Sequence, residues 1–102
     1  MNTVIENHRS QLAEVCRRFG VERLDVFGSA SRDDFDPQRS DVDFIVRFRE
    51  PERPGYADRY LGLAEGLEHV LGRSVDLLTE RSLRNPLFVR QIGADRVLVY
   101  GA

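Results

Sequence analysis

Lysine and tryptophan are missing from this 102-residue chain, and cysteine and methionine occur once each. No apolar run approaches the ~20 residues that a membrane-spanning helix needs. A lone cysteine, Cys16, excludes an internal disulfide and agrees with a reducing cytosol, so a cytoplasmic location is expected. No apolar stretch follows His8 and Arg9, so no secretory signal is expected either. Without lysine, arginine carries all 15 positive charges, against 17 carboxylates, for a formal net charge of -2. That near balance argues against a protein that grips long nucleic acid by phosphate neutralisation. It leaves room for a small anionic ligand held together with a metal ion. The length fits one domain over residues 1–102, near the lower end of sizes that bury a full core. There is no internal repeat, low-complexity tract or interdomain linker.

What is present reads as alternating helices and strands. Val4, His8, Leu12, Val15, Cys16 and Phe19 recur at helical spacing, which predicts an amphipathic helix from Thr3 to Phe19 with Gly20 as its C-terminal stop. Cys16 falls on the apolar side of that helix and reads as a small core residue. Arg23 to Phe27 predicts a short strand running into Gly28-Ser29. The polar stretch from Ala30 to Ser40, with Pro37 inside it, predicts a loop. Val42 to Phe48 predicts a second strand, with Val42, Phe44, Val46 and Phe48 on one side and Asp43, Ile45 and Arg47 on the other. Glu50 to Gly55 reads as a turn. A second helix is expected over Tyr56 to Leu71, a third strand over Ser74 to Leu78, a last helix from Asn85-Pro86, and a closing strand over Arg96 to Tyr100. The order α-β-β-α-β-α-β predicts an α+β fold, a small mixed sheet with helices packed on it.

Three acidic residues stand out against this pattern. Asp41 and Asp43 are one residue apart, a spacing that points both carboxylates to the same face of an extended strand. Close carboxylates repel each other and hold protons more tightly unless a cation lies between them. Asp76 sits in a third strand-like run between Val75 and Leu77. Magnesium takes oxygen ligands and is usually held by one or two carboxylates plus substrate phosphates. In a two-ion arrangement, one ion would bridge Asp41 and Asp43 to a triphosphate. The other would be shared with Asp76, which would also help take the proton from an attacking hydroxyl. Gly28-Ser29 lets backbone come close to a phosphate and adds a hydroxyl donor. On its own, a Gly-Ser dipeptide is more often an ordinary turn.

Taken together, Phe27-Gly28-Ser29-Ala30-Ser31-Arg32, Ser40-Asp41-Val42-Asp43-Phe44-Ile45-Val46 and Val75-Asp76-Leu77-Leu78 resemble the minimal nucleotidyltransferases of the DNA polymerase β superfamily. The resemblance covers nearly the whole chain and implies a polymerase β-like core that transfers a nucleoside monophosphate and releases pyrophosphate. It further implies catalytic and magnesium-binding roles for Asp41, Asp43 and Asp76, and nucleotide binding by Gly28, Ser29 and Arg32. Small stand-alone members resemble the antitoxin of HEPN–nucleotidyltransferase toxin–antitoxin pairs. Here the implied activity is AMP transfer from ATP to a tyrosine of a HEPN ribonuclease toxin, which silences it.

The loop from Ala30 to Ser40 is one residue longer than the commonest form of the motif, and Asp33 and Asp34 stand where a glycine often follows the arginine. Arg32 therefore has two open roles, contacting a phosphate or pairing with Asp33, Asp34 or Asp36. Two further readings stay open for the chain: an antitoxin that acts by binding alone, and a transferase for a small-molecule acceptor. The second usually needs a further domain to hold its acceptor. His8 and His69 lack partners at metal-site spacing and read as ordinary surface or half-buried residues. Tyr56, Tyr60, Arg53 and Arg59 read as a helix start or a partner-binding face. Arg81, Arg84 and Arg90 read as a solvated face or a steering surface for phosphates or an acidic partner.

Overall fold

A computed structural model describes residues 3–28 and 41–101. The expected loop over Ala30 to Ser40, together with Ser29 and Arg32, lies outside the described residues. Two short helices, α1 (Thr3–Asn7) and α2 (Arg9–Arg18), lead into strand β1 (Val21–Phe27). Strand β2 (Val42–Phe48) is followed by helix α3 (Tyr56–Leu71), strand β3 (Val75–Thr79) and a 3₁₀ turn (Glu80–Ser82). Helix α4 (Pro86–Asp95) and strand β4 (Val97–Gly101) close the chain. The sheet order is β3-β2-β1-β4, with β1 antiparallel to β2 and β4, and β2 parallel to β3. This is the α+β fold with a small mixed sheet that the sequence predicts.

The first helix departs from expectation, because it breaks at His8. His8 adopts non-helical dihedrals (φ -118°, ψ 11°), and its ring nitrogen Nδ1 lies 2.8 Å from the Val4 carbonyl oxygen. The side chain thus competes for a carbonyl of the preceding turn, and the chain restarts as α2. Ile5 is fully buried, although it lies outside the helical pattern of Val4, His8 and Leu12. β1 begins two residues earlier than expected, and β3 and β4 are each displaced one residue toward the C-terminus. Strand ends are set by ladder partners, which a single-strand pattern does not contain. β2 and α3 have the expected bounds.

Val42, Phe44, Val46 and Phe48 are buried on one side of the sheet with Leu24, Val26, Leu77 and Val99. Leu12, Val15 and Cys16 of α2 and Leu63, Leu67 and Leu71 of α3 complete this core. A fully buried leucine contributes roughly 1.5–3 kcal/mol, so α2 and α3 are anchored by packing. Burial pushes the Cys16 thiol up to about 12, so it stays protonated as a core residue. α3 approaches α2 closely because two of its positions carry no side chain. A Cβ at Gly66 would lie 2.6 Å from Val15 Cγ1, and one at Gly62 would overlap the Phe19 ring.

Arg59 ties the turn after β2 to α3. Its guanidinium donates to the carbonyls of Arg49 (3.0 Å) and Glu50 (3.1 Å) and stands over the rings of Phe48 and Tyr56. This structural use answers the reading of Arg59 and Tyr56 as a helix start. Among the described residues, no helix is long and apolar enough to cross a membrane.

Candidate active site

Strand register brings the predicted acidic residues together. Asp43, the second residue of β2, pairs with Phe27 of β1 on one side and with Asp76 of β3 on the other. Neighbouring strands lie about 4.8 Å apart, so two carboxylates from distant parts of the chain become neighbours. Asp41 precedes β2 by one residue and is solvent-exposed. Asp43 is half-buried, whereas Asp76, on an edge strand, is exposed.

The electrostatics of Asp43 follow from this placement. Burial raises its proton affinity above the ordinary carboxylate value, and the charges of Asp76 and then Asp41 raise it further. Both neighbours thus act on Asp43 as like charges. A bound cation relieves this repulsion. Among the described residues, no group of three His, Cys, Asp or Glu side chains converges as a preformed metal cage. The donor set still suits magnesium, whose sites commonly take only one or two carboxylates and complete their shell with water and substrate phosphate.

Gly28 directly follows β1 and lies beside Asp43, with φ at 69°. A Cβ there would lie 2.7 Å from Asp43 Oδ2. Left-handed backbone and lack of space both favour glycine at this point, so the turn can sit against the carboxylate. Of the nucleotide-binding residues implied by the resemblance, Gly28 is therefore beside the acidic pair. Ser29 and Arg32 are outside the described residues. His8 lies between α1 and α2, and His69 lies late in α3.

Two neighbours of the site were passed over as such by the sequence reading. Tyr60 of α3 donates its hydroxyl to the Leu77 carbonyl, one residue beyond Asp76. Burial, then the Asp76 charge, then Tyr56 raise the Tyr60 phenol above its usual range. Tyr60 and Leu77 help line a largely apolar cavity of about 680 Å³ along the β3 edge, with Tyr56, Leu61, Leu78 and Arg81.

Asp25 of β1 is fully buried two residues from Phe27, on the same side of its strand. Arg23 Nε donates to Asp25 at 3.0 Å, and Arg96 reaches both Asp25 and Glu80. The Glu80 hydrogen bond is the main influence holding the Arg96 guanidinium above its usual range; burial opposes it, and the hydrogen bond and charge of Asp25 add to it. An acidic residue between Leu24 and Val26 is the same kind of signal that singled out Asp76. Here, however, arginines satisfy the carboxylate.

Comparison with known proteins gives the family and the fold. The nucleotidyltransferase domain model matches residues 8–99. The protein adenylyltransferase MntA of Thermococcus cleftensis is 36% identical over 85 residues, covering 83% of this chain and 79% of that protein. A solved minimal nucleotidyltransferase structure superposes with a TM-score of 0.75 at 28% identity, covering 95% of each chain. A complex from Shewanella oneidensis, a tri-AMPylated HEPN toxin with its MNT antitoxin, provides a chain with a TM-score of 0.65 at 19% identity. That likeness covers 96% of this chain and 73% of the other and speaks to the fold. With the family model spanning most of the chain and the acidic pair seated beside the Gly28 turn, the protein belongs to the nucleotidyltransferase domain family.

Proposed function

We propose that residues 1–102 form one minimal nucleotidyltransferase domain that acts as an antitoxin, transferring AMP from ATP to a tyrosine hydroxyl of a HEPN-type toxin. The observation that carries this reading is the pairing of Asp43 with Asp76 beside a glycine turn too close for a side chain. The 36% identity to a protein adenylyltransferase supports a protein as acceptor. Magnesium, when bound, neutralises phosphate charge and screens the carboxylates from one another.

Asp41, Asp43 and Asp76 would hold the ion, and the backbone at Gly28 would admit the triphosphate, with Ser29 and Arg32 as further nucleotide contacts. The acceptor oxygen forms a bond to the α-phosphorus while the bond from that phosphorus to the bridging oxygen breaks. Pyrophosphate leaves with the electron pair. Asp76 accepts the hydroxyl proton and releases it to solvent, a task suited to a carboxylate open to water.

Intact mass spectrometry of the HEPN acceptor, incubated with this chain, ATP and magnesium, tests the proposal. A gain of one or more AMP groups is expected. Asp43→Asn should reduce the rate about 10³-fold, equivalent to about 4 kcal/mol of transition-state stabilisation. A stable complex with no mass gain would replace the transferase with an antitoxin that acts by binding alone. Unchanged transfer by Asp43→Asn would remove the assigned site.

A further inference from the structure

Helix α4 is held differently from α2 and α3. Its start is fixed locally: Asn85 accepts a hydrogen bond from the Leu87 amide at 2.9 Å, and Pro86 occupies the first turn. Among the described residues of α4, Ile92 is the buried one. Leu87 is 73% exposed, Phe88 41% and Val89 42%. Three consecutive large apolar residues on one exposed turn mark an interaction surface rather than scattered surface hydrophobics.

Among the described residues, the exposed charges next to Leu87, Phe88 and Val89 in sequence are basic. Arg84 precedes the helix and Arg90 lies within it; both are exposed and neither makes an ion pair among the described residues. Arg81 reaches Glu52 only at 3.9 Å across the surface. The nearest acidic residue within α4 is Asp95, at its far end. An isologous contact with a second copy would set this basic flank against itself, which like-charge repulsion opposes. A partner with carboxylates around an apolar centre complements it.

The ridge also adjoins the site. Phe88, Ile92 and the acidic Asp95 of α4 line a shallow cavity of about 150 Å³ with Phe27 and Gly28. Phe27 is the register partner of Asp43, and Gly28 abuts the Asp43 carboxylate. A protein seated on α4 is therefore held next to the acidic pair. We propose that the exposed ridge of α4 docks the acceptor protein, through an apolar surface on that protein rimmed by carboxylates, and so presents its hydroxyl to the Asp43–Asp76 site. This rests on the transferase reading above and names the surface that selects its substrate. The chemistry is that of a helix laid against an apolar surface, with electrostatics setting orientation and encounter rate.

Two double variants of exposed residues test it, Leu87→Ser/Val89→Ser and Arg84→Glu/Arg90→Glu. Calorimetry measures acceptor affinity, a fluorescent ATP analogue with magnesium measures nucleotide affinity, and initial rates give KM and kcat for the acceptor. Each variant should weaken acceptor binding at least tenfold and raise the acceptor KM, with nucleotide affinity unchanged. Added salt should weaken wild-type binding more than that of the charge-reversed variant.

Acceptor binding as tight as wild type in both variants would overturn the docking proposal. So would concentration-dependent self-association of the wild-type chain that the variants abolish. Loss of binding to a single-stranded RNA oligonucleotide, with acceptor binding intact, would also overturn it by reassigning the basic flank. Acceptor binding that depends on α4 but yields no AMP transfer would sink the transferase reading alone.

Discussion

On one side of the sheet, Val42, Phe44, Val46 and Phe48 of β2 sit beneath α2 and α3 in a continuous apolar core. On the other, the intervening residues of the same strand are Asp43, Ile45 and Arg47, and the neighbouring strands place Asp25 and Asp76 at register positions beside them. Ile45 and Ile92 are buried yet lie outside the main core cluster. The helix-covered side is stabilised by area removed from water. The acidic side relies on paired charges where it is buried, and at its Asp43 end it keeps like charges close together. Such an arrangement is costly to the fold, which is where a functional site is expected to depart from good packing.

Substitutions on the two sides should separate these contributions. The largest effect on stability is expected from Leu67→Ala, since Leu67 is fully buried between α3 and the sheet. Its cost should be about 2–5 kcal/mol, read as a lower midpoint in urea unfolding. Arg96→Ala should follow at about 3 kcal/mol, because it leaves the buried Asp25 carboxylate with Arg23 as its hydrogen-bond donor. An equal or smaller cost than an exposed ion pair would show that Asp25 is served by water instead.

Two glycine substitutions divide the helices in the same way. Gly62→Ala forces a methyl into the Phe19 ring and should destabilise by at least 1 kcal/mol. Gly93→Ala, in α4, meets nothing within 4 Å and should stabilise by about 1 kcal/mol through helix propensity alone. Thermal melts of both variants distinguish a packed helix from an open one.

The smallest effect concerns pH. The folded state binds the Asp43 proton more tightly than the unfolded chain does. Its favourable contribution is therefore complete below the unfolded value and is lost as pH rises through the raised folded value. In metal-free buffer, Asp43→Asn escapes that loss. It should melt above wild type at pH 7, with the gap closing below about pH 4. A gap that persists at low pH would mean the amide gains a contact of its own.

Alternation and helical spacing placed β2 and α3 at their observed bounds, because both elements have strongly periodic apolar residues. The break at His8 was illegible, since it depends on a ring reaching back to the Val4 carbonyl within an otherwise helical pattern. The Asp-x-Asp pair and Asp76 were legible as candidates from their strand settings. The fully buried Asp25 shows the same setting with a different outcome, because Arg23 and Arg96 satisfy it.

Local sequence by itself determined the α+β class, the order of the four strands along the chain and the candidate cation-binding residues, since each depends on periodicity and residue chemistry along a short stretch. Only the tertiary structure decided which carboxylates share charge. Strand register places Asp76 beside Asp43 across 33 positions of sequence, and Arg96, between α4 and the last strand, neutralises Asp25. Electrostatic interaction depends on distance in space and on burial, and neither is fixed until the strands pair.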